Sequence, residues 1–377
     1  MSFRVVQWAT GAVGTWSLRQ IIDRPELELV GVWVSGPDKH GKDAGDLCDR
    51  PPTGVRATSS KEDILALDAD VVIHCPAAIG ADGSLPFDDD VVKLLASGKN
   101  VISTLSYYSP LIEGPERMAT LEAACTQGAS TLYGCGLDPG YVCDRVPATL
   151  TSGLADVTRI RMSESIDVST HPGAQLLMDL GFGKHPQDLA LDSAQVQYFA
   201  LRAFPGAVAK LADLLGVKLD GVQLSKMPEL AFASKDLDLA MGRIPAGTIS
   251  GIRYEYVGTR DGEPFITHEW VHYVEREGAP PDWMKAPPPQ PGEAMPYRVT
   301  LDVEGRPSVH ADLVFTDPQD TVFLPTAAAP IRAIPYVCAA PPGFLQEPIF
   351  GCWNPGPAAG SSEAVAPEPT RGKDLVV

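Results

Sequence analysis

Apolar and polar positions change rhythm once along the chain. Over the first 150 residues, short runs that are apolar throughout alternate with stretches whose apolar residues recur at three- and four-residue spacing. The runs Phe3–Trp8, Leu27–Val34, Val71–Cys75, Asn100–Ser103 and Thr131–Tyr133 predict strands. Helices are predicted over Thr15–Asp23, where Trp16, Leu18, Ile21 and Ile22 share a face, and after Ser59-Ser60, whose Glu62 and Asp63 complete a capping box. Further helices are expected around Val91–Leu95 with a stop at Gly98, over Pro115–Gln127 and over Val142–Leu150. Strands without polar alternation, separated by helices, imply a parallel sheet covered on both faces.

After Gly153 the grammar is different. Ile160, Met162, Ile166 and Val168 alternate along a strand, and Gln195–Leu215 is the longest helical stretch. From Thr248 the chain reads as hairpins: Ile249–Val257 with Phe265–Val274 around Gly258–Pro264, then Tyr297–Val303 with Ser308–Phe315 around Glu304–Pro307. These predict a largely antiparallel sheet with one exposed face. Ala279–Pro296, with seven prolines in 18 residues, is expected as an extended surface loop. Thr326–Ala339 is apolar again and suited to return to the first unit, while the Pro, Gly, Ala and Ser of the chain from Asn354 predict a poorly ordered tail. The expected organisation is 1–150, 151–324, a returning helix within 325–353, and a tail over 354–377. No internal repeat is found.

Composition changes this picture only by exclusion. With 44% hydrophobic and 21% charged residues among 377, wholesale disorder is excluded. No apolar run approaches the roughly 20 residues of a membrane helix, and Met1–Val6 runs into a strand pattern without a signal core. Thirty basic against 48 acidic residues give −18. That charge repels nucleic acid and anionic lipid, so the expected partner is a small-molecule substrate, without nucleic acid or membrane. The seven cysteines (48, 75, 125, 135, 143, 338, 352) show no C-x-x-C spacing. Five of them fall inside strand or helix patterns and read as small buried side chains, and the set suits a reduced, cytoplasmic protein with no metal site.

Candidate chemistry begins at the first strand–helix turn. Ala9-Thr10-Gly11-Ala12-Val13-Gly14 stands where a dinucleotide fingerprint G-x-G-x-x-G would, with Ala9 in the first glycine's place. Gly11 would let backbone approach a pyrophosphate at the helix N-terminus, and Gly14 would let helix pack closely on strand. The fold class is therefore α/β, a Rossmann-type doubly wound parallel sheet with a second α+β domain built on a largely antiparallel sheet. The cofactor expected is NADP or NAD. After the second strand, Ser35 is neutral, Asp38 favours a free ribose 2′-hydroxyl, and Lys39, His40 and Lys42 favour a 2′-phosphate. At later strand ends, His74, Cys75, Pro76, Thr104 and Gly136 complete the expected cofactor-binding set. Cys135 has no histidine nearby in sequence and reads as packed rather than nucleophilic.

Five segments carry a resemblance: Val5–Gly14, Gly41–Gly45, Gly134–Gly140 with Asp144, Met178–Gly183, and Ala333–Gly343. The chain resembles the dihydrodipicolinate-reductase-like group that includes 2,4-diaminopentanoate dehydrogenase and the native amine dehydrogenases. The resemblance implies a nicotinamide-dependent enzyme acting on a C–N or C=O centre, a middle domain covering the nicotinamide, and a homodimer. It also exposes a departure. Amine dehydrogenases carry a catalytic glutamate in the loop after the fifth strand, and Ser103–Pro110 has no acid. Ser106, Tyr107 and Tyr108 occupy that loop, the next carboxylates are Glu113 and Glu116, and Asp138 stands where family loops commonly have Asn.

The catalytic candidates are therefore Tyr107, Tyr108 and Asp138, a hydroxyl or a carboxyl that gives a proton as hydride arrives. Glu164, Asp167, His171, Lys184, His185, His268 and His272 are the middle-domain candidates. His268 and His272 lie in a strand pattern, some 13 Å apart, and do not suit a metal pair. The expected activity is hydride transfer between NAD(P) and a small carbonyl, imine or amine. The alternative is a dinucleotide-binding sensor or structural subunit without catalysis.

Overall fold

A computed structural model describes residues 2–77, 87–105, 107–171, 174–189, 194–288 and 295–355. Ser106 and the tail from residue 356 onward lie outside the described residues. The first unit contains β1 (Phe3–Trp8), α1 (Ala12–Ile22), β2 (Leu27–Trp33), β3 (Ala57–Thr58), α2 (Lys61–Ala66), β4 (Val71–His74), α3 (Phe87–Ala96), β5 (Asn100–Ser103), α4 (Pro110–Glu113), α5 (Pro115–Gly128), β6 (Thr131–Gly134) and α6 (Arg145–Leu150). Its strands pair in parallel in the order β3-β2-β1-β4-β5-β6. The direction of winding reverses between β1 and β4, and ligands of open α/β sheets bind outside the carboxyl ends at that point.

The second unit contains β7 (Asp156–Asp167), α7 (Ala174–Leu180), α8 (Ala194–Tyr198), α9 (Phe204–Leu214), β8 (Gly221–Leu224), β9 (Glu229–Phe232), β10 (Leu237–Leu239), β11 (Gly242–Ile244), β12 (Ile249–Arg260), β13 (Glu263–Tyr273), β14 (Tyr297–Arg306) and β15 (Val309–Phe315). The main sheet runs β15-β14-β7-β13-β12-β8, with β9 also paired to β12. Finally α10 (Phe323–Ala339) packs over the first sheet, where Ile331, Ile334 and Val337 join Val5, Ile73 and Ile102 in one core. β16 (Gly343–Phe344) then adds a parallel edge beside β6.

Several elements differ from their sequence pattern for identifiable reasons. The helix expected from Val142 begins only at Arg145, because Asp144 takes a non-helical conformation (φ −136°, ψ −69°) and its side chain accepts from Arg145 N–H. The long helix at 195–215 is interrupted by a π-turn over Phe199–Ala203. Pro205 follows at the head of α9, where it cannot supply the usual N–H to the preceding turn. The hairpin sheet contains one parallel pairing, β13 on β7. Neither face of β13 is exposed beyond Pro264. The reason is the proline-rich loop: Ala279 and Trp283 pack on Val271, Tyr273 and Ala231, so its described part covers the sheet instead of standing off it. The rest of that loop, 289–294, is outside the described residues.

Candidate active site

The turn after β1 is tight. Ala9 adopts φ 71°, the left-handed region in which the fingerprint would place glycine. A Cβ on Gly14 would stand 2.2 Å from the Ala9 carbonyl oxygen, so only glycine lets α1 lie this close to β1. Gln7, fully buried, donates from Nε2 to the Ala9 carbonyl at 2.8 Å and braces the turn. Gly11 is the N-cap of α1, with no side-chain cap and no acidic residue in the first turn. A Cβ there would meet nothing within 4 Å. An open cradle at an uncapped helix N-terminus, beside Ala12 and Val13, suits an anionic pyrophosphate. Lys39 reaches across from the loop after β2 and donates from Nζ to the Thr10 carbonyl at 2.9 Å and to Thr10 Oγ1 at 3.1 Å. Ser35 and Asp38 are exposed on the same loop, while His40 Nδ1 lies 3.1 Å from Ser59 N. The Gly41–Gly45 segment is held by Asp43, whose carboxylate accepts from the N–H groups of Gly45, Thr53 and Gly54.

At the ends of β4 and β5 the side chains are buried. His74 Nδ1 lies 3.0 Å from Ser103 Oγ, and desolvation takes its imidazole down to about 3, so it is neutral. Burial pushes the Cys75 thiol up to about 12, although Thr104 and Gln7 hydrogen-bond to it. Pro76 is half-buried beside it. Cys135 is likewise fully buried and pushed up to about 12 by desolvation, which accords with a packed thiol.

Tyr107 and Tyr108 spend their hydroxyls on the protein. Tyr107, at φ 77°, has its N–H on Glu113 Oε1 at 2.9 Å and donates from its hydroxyl to Asp88 Oδ1 at 2.7 Å. Arg117 lies over its ring and binds Asp88 and Glu113. The Tyr108 hydroxyl donates to the Thr104 carbonyl at 3.0 Å. The carboxylate nearest to this loop in sequence, Glu113, is thus buried beneath it.

The loop after β6 meets the second sheet. Lys210 of α9, itself buried, donates from Nζ to the Gly134 carbonyl at 2.8 Å and pairs with Glu347 at 3.3 Å. Arg145 Nε donates to the Gly140 carbonyl at 2.6 Å. Gly136 lies against Thr326 of α10. These contacts hold Asp138 against the inner face of β7 and β13. Ligand-type atoms of Asp138, Cys143, Glu164 and His268 all lie within 4.8 Å of one another. His268 Nε2 is 3.5 Å from Asp138 Oδ2 and 3.6 Å from Cys143 Sγ, and the Tyr297 hydroxyl donates to Glu164 Oε2 at 2.6 Å. Burial, and next the Asp138 charge, push the Glu164 carboxyl well above the usual carboxylate range. The group is a pair of carboxyls flanked by an imidazole, and burial favours the protonated form of Glu164. Its donor types could also take a metal; in this arrangement Tyr297 hydrogen-bonds Glu164, and the Cys143 thiol lies against the His268 ring.

The sequence singled out Asp138, Glu164 and His268 separately, but nothing in their spacing joins the two carboxyls to each other or to His268, more than 100 positions from either. Cys143 and Tyr297 carry no signal of their own. Asp167, at the carboxyl end of β7, has Oδ1 accepting from Ser169 N–H. Lys184 and His185 lie after α7, and no contact joins them to the carboxyl pair among the described residues. Among the same residues no helix is long and apolar enough to cross a membrane.

No protein-family model matches the chain. The chain is 30% identical over 321 residues to an amine dehydrogenase of Streptomyces virginiae, covering 83% of this chain and 85% of that protein. It is 22% identical over 280 residues to 2,4-diaminopentanoate dehydrogenase of Acetoanaerobium sticklandii, covering 73% and 77%. Among solved structures, that of an amine dehydrogenase from Mycobacterium smegmatis superposes with a TM-score of 0.72 at 19% identity, covering 92% of this chain and 95% of that one. The open phosphate cradle, the doubly wound sheet and this similarity across most of both chains agree: the chain belongs to the amine dehydrogenase family of NAD(P)-dependent oxidoreductases.

Proposed function

We propose that this protein moves a hydride between NADP(H) or NAD(H) and the carbon of a small carbonyl, imine or amine, with Asp138 and Glu164 as its acid–base pair. The observation that carries the reading is the convergence of both carboxyls with His268 between the loop after β6 and the second sheet. Ala9 to Gly14, Ser35, Lys39, His74 to Pro76, Thr104 and Gly136 would hold the cofactor, which supplies the hydride when bound. Glu164, whose carboxyl burial pushes well above the usual carboxylate range, gives the proton that loss of water from a carbinolamine requires. The Asp138 charge beside it favours a cationic iminium carbon. His268 lies close enough to return a proton to the pair. In this reading the missing loop glutamate is replaced from the opposite wall of the crevice. The hydroxyls of Tyr107 and Tyr108 then hold the loop in place.

The outer face of the second sheet supports a homodimer. Arg161, Arg253, Glu269 and Arg298 line a polar trough there, beside Trp283. All seven cysteines are free, which suits a reducing, cytoplasmic setting.

The test is cofactor oxidation over a panel of small ketones and aldehydes, with and without ammonium. Turnover with at least one of them should fall about 10²–10⁴-fold in Asp138→Asn and in Glu164→Gln, the usual scale of acid–base catalysis. Fluorescence titration of NADPH should give an unchanged dissociation constant in both variants. Wild-type turnover in both would remove the pair from the mechanism. Tight cofactor binding without turnover on any substrate would favour the non-catalytic alternative.

A further inference from the structure

We propose that His272 is a substrate-recognition residue, and that the substrate carries a neutral hydrogen-bonding oxygen, a hydroxyl or carbonyl, on an apolar body beyond the reacting carbon. This deepens the reading above and rests on it. On the inner face of β13, His268, Trp270 and His272 alternate toward the strand's carboxyl end, opposite Met162, Glu164 and Ile166 of β7. His272 is therefore two layers along from His268, on the same face as the carboxyl pair. It is 8% exposed, and neither ring nitrogen has a hydrogen-bond partner among the described residues.

Buried polar atoms of folded proteins are almost always paired, and leaving one unpaired is costly. An imidazole with both nitrogens unpaired is unusual as a packing residue, because Leu or Phe would fill the same space without that cost. The surroundings are aromatic. The Trp270 ring centroid is 3.3 Å away, Tyr254 and Phe204 continue the row behind Trp270, and His171 stands nearby against Phe323 of α10. Desolvation, reinforced by His171, drives the His272 imidazole well below its ordinary value, so it is neutral. A neutral ring offers one N–H donor and one acceptor. It suits a hydroxyl or carbonyl oxygen and gives no counter-charge to a carboxylate. Trp270, Tyr254 and Phe204 suit the apolar body.

The experiment compares ketones that differ only in a hydroxyl replacing a methyl: hydroxyacetone against 2-butanone, and 4-hydroxy-2-butanone against 2-pentanone. The wild type should favour at least one hydroxylated member about tenfold or more in kcat/KM, the scale of one buried hydrogen bond. In His272→Leu that preference should fall to near unity, and His272→Asn should retain part of it. The melting temperature of His272→Leu should stay level or rise, since the substitution removes an unpaired polar group. A preference unchanged in His272→Leu, or a lowered melting temperature in that variant, would overturn the proposal.

A second measurement separates this from the reaction itself. In the cofactor-saturated protein, the His272 imidazole carbon–proton resonance, assigned by its loss in His272→Leu, should shift with hydroxyacetone and stay still with 2-butanone. That shift without any turnover would retain the subsite and reject the proposed reaction. Turnover without the shift would reject the subsite alone.

Discussion

The two walls of the crevice are built on opposite plans. The wall proposed to hold the cofactor is local: Gln7, Ala9, Thr10, Gly11 and Gly14 lie within eight consecutive residues and shape one turn through backbone geometry. The acid wall is assembled from afar, with Asp138 on a loop of the first unit and Glu164, His268 and Tyr297 on three strands of the second. The first depends on small residues whose replacement blocks space. The second depends on burial and charge, so isosteric replacement can remove its chemistry while leaving its shape.

This contrast can be broken by exchanging the kind of damage. The largest effect expected is chemical: Glu164→Gln keeps volume and should cost about 10²–10⁴ in turnover with no change in cofactor affinity. Loss of cofactor binding in that variant, measured by fluorescence titration, would show that the two walls are not separable. Steric damage should do the reverse. Gly14→Ala sets a Cβ against the Ala9 carbonyl and should destabilise by about 1–3 kcal/mol, with weaker cofactor binding. Gly11→Val, where a Cβ has open space, should weaken cofactor binding with the denaturant midpoint unmoved. If Gly11→Val binds cofactor as the wild type does, the cradle is elsewhere.

A smaller effect concerns pH. Burial raises the Asp144 carboxyl from 3.8 to about 6 despite Lys210 nearby. The native state therefore binds this proton more tightly than the unfolded chain, and its contribution to stability is full below 3.8 and lost as pH rises toward about 6. Asp144→Asn, which can still cap α6, should flatten the stability–pH curve in that window; an unchanged slope in urea melts at several pH values would contradict this. The smallest effect is expected at Ala9→Gly. It relieves a left-handed alanine worth about 1–2 kcal/mol but adds roughly 0.5–1 kcal/mol of chain entropy, so stability should rise by about 1 kcal/mol or less. A loss of stability there would mean that the turn needs the methyl.

What was legible in the sequence follows the same division. The β1–α1 turn reads directly because its requirements are contiguous, even with alanine in a glycine's place. The apolar strands β4, β5 and β6 read well because both faces of that sheet are covered. Hairpin reasoning found β12 to β15 but missed the parallel pairing of β13 with β7, since a contact between strands about 100 residues apart leaves no mark in either. The departure in the Ser103–Pro110 loop was visible as a missing carboxylate. Where the chain keeps its buried carboxyls became visible only once Asp138 and Glu164 faced each other.

The return of α10 to the first sheet bears on how the protein is made. Val5, Ile73 and Ile102 are synthesised within the first third of the chain, yet they share a core with Ile331, Ile334 and Val337 near its end. A nascent chain that has emerged as far as α6 would present that apolar face to solvent until some 180 further residues have followed. Such long sequence separation makes for slow folding, because loop closure precedes the contacts that reward it. The turn after β1 is thus made long before α10, and the sheet that carries it gains its full cover only once α10 has followed.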